Sequence, residues 1–188
     1  MDEKGGNLRK LRVMTHNMQC HFLVPAPNKS VRVSKILSRL KDYDVLILQE
    51  LFVLRTFGFT FGTDLREQII NQAKADGLRH SAVCPSANAF FGQDAGLCTI
   101  SRYPIKNTKA ITYENWGWTE APNKKVLSEK PSVRLHISIM QGVPVFVINT
   151  HLEAHSSLNR LAQLFELRKL IPTTPNAAII IAGESNVS

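Results

Sequence analysis

The chain has 188 residues, of which 44% are apolar and 20% charged, with 10 Gly and 9 Pro. This composition is typical of a globular domain and excludes a disordered, collagen-like or disulfide-stapled protein. The 23 basic and 15 acidic residues give a net charge of +8. Such an excess favours polyanionic partners, namely nucleic acid, phosphorylated ligands or an anionic membrane surface. A basic surface that only keeps the protein dissolved explains the charge equally well.

The cysteines and the hydropathy pattern indicate the cellular compartment that suits the protein. Cys20, Cys84 and Cys98 are odd in number, lie far apart and form no C-x-x-C pair. They predict neither a zinc site nor a disulfide framework, which favours a reducing compartment. No signal peptide is visible, and no apolar run approaches the roughly 20 residues that cross a bilayer. We expect a tail over residues 1–10 and one domain over 11–188, in the cytoplasm or in peripheral contact with a membrane.

The first half of the chain alternates two hydrophobic periods. Short β-rich runs bounded by turn residues predict strands, and apolar residues at helical spacing predict helices. In chain order these are a strand at 11–18, a helix at 30–40, a strand at 44–49, a helix at 64–76 and a strand at 95–101. Such alternation indicates an α/β fold.

The second half begins with an irregular segment at 106–131 that contains Trp116 and Trp118. Long irregular connections are usually functional or mobile, so the tryptophans could contact lipid or bases, or form a small core within the loop. The elements that follow are strands at 133–140 and 143–149, a helix at 157–170 and a strand at 177–182. A hairpin at Gln141-Gly142 indicates that the sheet is mixed.

The last helix has most of its apolar residues on one side. It holds Leu158, Leu161, Ala162 and Phe165 together, while Arg160, Gln163 and Lys169 lie elsewhere around it.

Polar side chains stand where four apolar strands end: Asn17, Glu50, His151, Glu184 and, just beyond, Asn186. Open α/β sheets bind ligands outside the carboxyl ends of their strands, so these side chains converge if the strands are neighbours. The set lacks the several His or Cys ligands of a closed zinc site. Carboxylates with amide oxygens suit Mg²⁺, with Mn²⁺ as an alternative, and a histidine beside them can donate a proton to a leaving group.

Each of these residues also has a purely structural interpretation. Glu50 can cap a turn, Asn17 can form an Asx-turn and His151 can be a hydrogen-bonded rim histidine. Taken singly, the structural interpretation is favoured for each residue. The four endings together favour a functional patch.

Five motifs occur in the order of a known superfamily and span residues 11–186. They are Thr15-His16-Asn17, Leu48-Gln49-Glu50, residues 96–105 with Ser101-Arg102-Tyr103-Pro104, Asn149-Thr150-His151-Leu152 and Gly183-Glu184-Ser185-Asn186. Through them the chain resembles the endonuclease/exonuclease/phosphatase superfamily. Gly96-Leu97-Cys98 and the helix with Arg160, Gln163 and Glu166 make it most similar to the neutral-sphingomyelinase-like branch. The resemblance implies a two-sheet, four-layer α/β sandwich of the DNase-I-like type.

The resemblance also implies roles for individual residues. Glu50 matches the Mg²⁺-binding glutamate, and Asn17 lies beside the metal site. His151 matches the histidine that stabilises the phosphoryl group and protonates the leaving oxygen. Asn186 matches the asparagine that holds the phosphate and the attacking water, and Glu184 stands where the family has a catalytic aspartate.

The sequence departs from the family pattern at two places that matter. Glu184 is one methylene longer than the family's aspartate, which moves the carboxylate by roughly an ångström. A misplacement of about 1 Å can lower the rate about a hundredfold. The sequence also ends at Ser188, before the family's last strands and their Asp-His pair, which activates the water. A smaller departure is Pro131, where the branch usually has glycine and where proline removes a backbone donor.

These departures leave three hypotheses about function. The first is Mg²⁺-dependent hydrolysis of a phosphodiester, with a phospholipid head group as the preferred substrate. The second is nuclease action, because a charge of +8 suits a phosphate backbone equally well. The third is a catalytically impaired remnant that binds phosphate or lipid, whether the sequence is a fragment, a short isoform or a degenerate paralogue. The oligomeric state is left open.

Overall fold

A computed structural model describes residues 10–20, 27–57, 59–61, 64–84, 91–115, 131–138 and 144–186. Its strands are β1 (Val13–Asn17), β2 (Val45–Gln49), β3 (Leu54–Thr56), β4 (Phe59–Phe61), β5 (His80–Val83), β6 (Phe91–Gln93), β7 (Cys98–Ser101), β8 (Ile105–Thr112), β9 (Pro131–Ser138), β10 (Pro144–His151) and β11 (Ala178–Glu184). Its helices are α1 (Lys29–Leu37), α2 (Asp64–Ala75) and α3 (Ser157–Leu170), and a short 3-10 turn covers Leu40–Asp42.

Two four-stranded sheets carry the architecture, in the orders β1-β2-β7-β5 and β11-β10-β9-β8. Each sheet contains one parallel pair. In β1 and β2 Asn17 lies opposite Gln49, and in β10 and β11 His151 lies opposite Glu184. The remaining pairings in both sheets are antiparallel. A small antiparallel sheet of order β4-β3-β6 lies beside them.

The two large sheets pack face to face between layers of helices. Val45 and Ile47 of the first sheet contact Val145 and Val147 of the second in one buried cluster. The alternate residues of β2 and β7 pack with apolar residues of α1 and α2, including Leu46, Leu48, Ile100, Val33 and Ile69. Residues of α3 cover the outer side of the second sheet, where Ile148 and Leu167 share a cluster. The expected mixed α/β sandwich is therefore confirmed.

The sequence prediction was wrong about part of the segment at 106–131. Residues 105–112 form strand β8, which pairs with β9 at the edge of the second sheet. Only Ile105 and Ile111 of this strand are half-buried. Since its other side chains are exposed and, apart from Ala110, polar, the strand lacks the apolar pattern that predicts a strand. Residues 116–130, and with them Trp116 and Trp118, lie outside the described residues.

Helix α3 has the predicted bounds, but the side that carries the predicted apolar group faces solvent, and the opposite side packs against the sheet. Leu158, Leu161 and Phe165 are 78%, 51% and 59% exposed, whereas Gln163 and Leu167 are buried. The Gln163 side chain accepts a hydrogen bond from the Glu153 backbone N–H at 2.8 Å and donates one to the Asn115 carbonyl at 2.8 Å. These bonds satisfy a buried amide, which makes a polar side chain acceptable on the inner face.

Helices in the described part of the chain are all too short or too polar to span a bilayer.

Candidate active site

The carboxyl ends of the two parallel strand pairs meet at one edge of the sandwich. β1 and β2 bring Asn17 and Glu50 to this edge from the first sheet. β10 and β11 bring His151 and Glu184 to it from the second. Face-to-face packing of the sheets therefore gathers residues from four strands into one cluster, as the strand-end pattern predicts.

Short polar contacts cross between the sheets in this cluster. The Asn17 side-chain N–H donates to Glu184 Oε2. His151 Nε2 lies 3.2 Å from the same Glu184 oxygen and 3.8 Å from Glu50 Oε1. The side chains of Glu50 and His151 are only 11% and 12% exposed, while Glu184 is 31% exposed. Glu184 is thus more accessible than Glu50 and His151, which are largely sheltered from solvent.

Glu50 has an unusual backbone conformation, which contacts with neighbouring residues hold in place. Its φ of 55° is left-handed, a conformation that costs energy for a residue other than glycine and persists where surrounding contacts impose it. Its carbonyl accepts from the Cys20 N–H at 2.9 Å, and the next N–H, of Leu51, donates to the Gly96 carbonyl at 2.9 Å. A Cβ at Gly96 would lie 3.0 Å from Glu50 Cα, so this close approach requires glycine.

A buried ion pair supports the chain that follows Glu50. Asp94 accepts hydrogen bonds from the Val53 N–H at 3.0 Å and the Gly96 N–H at 3.1 Å, and it forms an ion pair with Arg66. Both side chains are at most 10% exposed. Sequence reasoning assigned Asp94 no role, because its partner Arg66 lies in a helix that shows no motif. The spacing Asp94-x-Gly96 was the only available signal.

Two amide side chains join the sheets directly beneath the cluster. Gln49 Nε2 donates to Asn149 Oδ1 at 2.9 Å, and Asn149 Nδ2 donates to the Leu48 carbonyl at 3.1 Å. Asn149 and Gln49 are 0% and 1% exposed. Hydrogen bonds of this kind fix the register of one sheet against the other because an unsatisfied buried amide is costly. Sequence reasoning took Asn149 only as part of a motif and missed this structural role.

The end of β11 is pressed against β10. Gly183 has φ 145°, and a Cβ there would lie 1.8 Å from the Thr150 carbonyl oxygen, so only glycine fits. Beyond it, the Leu152 N–H donates to the Glu184 carbonyl at 2.8 Å. Asn186, with a left-handed φ of 51°, donates from Nδ2 to the Leu152 carbonyl at 2.8 Å. These bonds hold the segment with Glu184 and Asn186 beside the chain that follows His151.

The buried thiol of Cys98 is inert. Burial raises the pKa of Cys98 to about 12, so at neutral pH the side chain is a protonated thiol rather than a nucleophile.

The donor set of the cluster fits a divalent cation. Glu50, His151 and Glu184 each offer one ligand atom, and these atoms all lie within 4.8 Å of one another. Carboxylate oxygens are ligands that Mg²⁺ and Mn²⁺ accept, whereas a structural zinc site in a chain of this kind usually has several Cys or His. Asn17 is less suited to ligation, since its Oδ1 accepts the Gln19 N–H at 2.8 Å in an Asx-turn and its Nδ2 serves Glu184.

The structure brings together four of the five predicted site residues, namely Asn17, Glu50, His151 and Glu184. Asn186 is held nearby through Leu152. Their chemical roles stay predictions, as does any role of Trp116 and Trp118.

Comparison with known proteins agrees with this geometry. The sequence profile of the Endonuclease/Exonuclease/phosphatase family matches residues 14–183. A sphingomyelinase from Dictyostelium discoideum is 25% identical over 92% of this chain and 42% of its own length. Among solved structures, sphingomyelinase C from Streptomyces griseocarneus superposes with a TM-score of 0.70 at 20% identity, over 94% of this chain and 64% of that one. The 2′,3′-cyclic phosphatase ANGEL2 gives 0.63 at 17% identity, over 94% and 52%.

The likeness to the solved structures concerns the fold, and this chain spans about two-fifths of the sphingomyelinase from Dictyostelium discoideum. The profile match covers both parallel strand pairs except Val13 and Glu184, and it includes three of the clustered residues. The chain therefore belongs to the endonuclease/exonuclease/phosphatase family.

Proposed function

We propose that the protein is a metal-dependent phosphodiester hydrolase that acts on a phospholipid head group. The observation that carries this proposal is the cluster of Glu50, His151 and Glu184, whose ligand atoms lie within 4.8 Å of one another at the carboxyl ends of the strands. Membership of the family supports hydrolysis of a phosphate ester. The similarity to a sphingomyelinase supports a lipid substrate.

The residues of the cluster have distinct tasks in such a reaction. Glu50 and Glu184 would hold Mg²⁺ or Mn²⁺, which when bound neutralises the charge that develops on the phosphoryl group. Asn17 orients Glu184 through its hydrogen bond. His151 stands between the two carboxylates, so it can carry a proton and deliver it to the leaving oxygen. Asn186 uses one amide N–H for Leu152 and can offer the second to a phosphate oxygen.

One observation favours the alternative of an impaired remnant. Glu184 accepts a hydrogen bond from Asn17 and lies 3.2 Å from His151 Nε2. In this arrangement Glu184 engages the histidine that hydrolysis requires. Nuclease action is the other alternative, and the net charge of +8 supports it because a basic surface attracts a phosphate backbone.

The test is to assay the full chain for Mg²⁺-dependent release of phosphocholine from sphingomyelin and, in parallel, for cleavage of plasmid DNA. We expect Glu50→Gln to abolish Mn²⁺ binding in a calorimetric titration and His151→Ala to lower turnover by about a hundredfold or more. Glu67→Gln, an exposed change on α2, is the matched control. Unchanged metal binding in Glu50→Gln would refute the assigned metal site. Plasmid cleavage without phosphocholine release would show that the substrate is nucleic acid and not a phospholipid.

A further inference from the structure

Helix α3 carries an apolar stripe that faces solvent. Leu158, Leu161 and Phe165, spaced three and four residues apart, lie on one side of the helix. They are 78%, 51% and 59% exposed. Gln163 and Leu167 occupy the opposite side and are buried against the sheet. Large apolar side chains grouped in this way on a surface usually mark a site of interaction.

Two residues of β11 extend the apolar area on the same side of the molecule. Ile181 lies opposite Ile148 in the parallel pair, and Ile148 packs with Leu167 beneath α3. Ile181 and Ile179 therefore point to the sheet face that α3 covers. They are 44% and 38% exposed. Together with α3, this face holds most of the exposed large apolar side chains in the described residues.

The two charged side chains of α3 that border the stripe are basic. Arg168 and Lys169 are exposed and flank the stripe on either side of the helix axis. The one carboxylate of α3, Glu166, lies outside the stripe, is half-buried and accepts hydrogen bonds from the Glu114 N–H at 2.8 Å and the Asn115 side chain at 2.6 Å. An apolar stripe bordered by cations, with no carboxylate on it, is typical of helices that lie in the head-group region of an anionic membrane.

The stripe also lies beside the candidate active site. His151 ends β10, and the short connection to α3 is fixed at both ends. At one end the Leu152 N–H donates to the Glu184 carbonyl at 2.8 Å. At the other, Arg160 Nη1 donates to the Glu153 carbonyl at 2.8 Å. The end of α3 that carries Leu158 is therefore the end closest to the cluster.

We propose that the outer face of α3, defined by Leu158, Leu161, Phe165, Arg168 and Lys169, docks onto an anionic lipid bilayer. The net charge of +8 complements such a surface. A second copy of the chain is a poorer occupant, because two such faces would bring Arg168 and Lys169 of both copies together, while the one α3 carboxylate, Glu166, is engaged by Glu114 and Asn115 of its own chain. Docking in this orientation holds the mouth of the cluster near the head groups, a consequence that rests on the proposed function.

The experiment is flotation of the full chain with vesicles of phosphatidylcholine and phosphatidylserine in equal amounts, and with phosphatidylcholine alone. The test variant is Leu161→Ser combined with Phe165→Ser. We expect its partition onto the mixed vesicles to fall by about tenfold. Arg168→Glu combined with Lys169→Glu should cause a similar loss and should remove the preference for phosphatidylserine. Val31→Ser, at an apolar position that is 49% exposed on α1, is the control and should bind as the wild type does.

Hydrolysis of a water-soluble phosphodiester separates this proposal from the proposed function. The α3 variants should retain the wild-type rate on that substrate and lose rate only on vesicles. A wild-type chain that binds vesicles but hydrolyses nothing would refute the proposed function and leave the docking surface standing. Three results would overturn the docking surface. They are wild-type-like partition of the double serine variant, a wild-type dimer that this variant disperses, and a large fall in its unfolding temperature, which would show that the protein itself covers the stripe.

Discussion

At the scale of single residues, Glu184 is the most informative position. Its sequence context predicts a carboxylate displaced by one methylene from the family's aspartate. In the structure the longer side chain reaches across to Asn17 and comes within 3.2 Å of His151 Nε2. The extra length is thus used to connect the two sheets at the mouth of the cluster.

Shortening this side chain should free the histidine. We expect Glu184→Asp to withdraw the carboxylate by about 1 Å and to raise turnover of a phosphodiester substrate by up to about a hundredfold. The measurement is the rate with saturating Mg²⁺, together with its pH profile. Glu184→Gln keeps the length but removes the charge, so it should show no such gain. A lower rate in Glu184→Asp would mean that the glutamate length is the one this site requires.

Sequence reasoning located the clustered residues because each follows an apolar strand, and parallel strands end at a common edge. It could not locate the support of Glu50. The carboxylate of Asp94 contacts backbone N–H groups of Val53 and Gly96, and the partners of such a group depend on loop paths that no periodicity encodes. Its ion pair with Arg66 joins a loop to a helix and is equally invisible in the sequence.

At the scale of elements, buried strands could be predicted from the sequence, but the side of a helix that packs against the sheet could not. β2 begins one residue later than the strand predicted at 44–49 and ends where expected, because all five of its residues are buried. The facing of α3 was not predictable, since buried hydrogen bonds of Gln163, rather than hydrophobicity, decide which side of this helix meets the sheet. β8 escaped prediction because an edge strand with polar side chains resembles a loop.

The start of β2 provides an element-scale prediction about acid stability. Asp44 receives hydrogen bonds from the Arg12 backbone N–H at 2.9 Å and from Arg102 Nε at 3.3 Å, which ties β1, β2 and β7 together. Burial opposes ionisation of this carboxyl, but the hydrogen bonds and charge of Arg12 and the hydrogen bond of Arg102 outweigh it and lower the pKa of Asp44.

Because the folded-state pKa is lowered, the ionised Asp44 contributes stability above the unfolded-state pKa of about 3.9 and loses it as the pH falls further. We expect Asp44→Asn to destabilise the protein by about 2 kcal/mol at neutral pH. We also expect this deficit to shrink as the pH is lowered from about 5 to about 3. Urea unfolding at several pH values measures both effects. Asp42→Asn, whose side chain is 51% exposed, should change neither, and a deficit that is constant with pH would contradict the assignment.

At the scale of the whole molecule, the contact between the sheets combines an apolar cluster with a buried polar bridge. The bridge of Gln49 and Asn149 lies directly under the candidate site, and Asn149 also donates to backbone oxygens of both β2 and β7. An apolar residue in its place would leave those acceptors buried without a donor.

We therefore expect Asn149→Leu to lower the free energy of unfolding by about 3 kcal/mol. We also expect weaker Mn²⁺ binding, because the two halves of the cluster belong to different sheets. Chemical unfolding and calorimetric titration measure the two quantities. Asn107→Leu, an exposed change on strand β8, is the matched control. Full stability in Asn149→Leu would show that the apolar cluster alone sets the position of the sheets.

The hydrogen bond between Asn17 and Glu184 joins positions that are 167 residues apart in the sequence. Contacts of such long separation form late in folding, because the chain must first give up the entropy of closing a very large loop. During synthesis, β1 leaves the ribosome long before β11 exists to meet it. The nascent chain therefore carries Glu50 before His151 and Glu184 have been made, and the cluster is completed only once β11 pairs with β10.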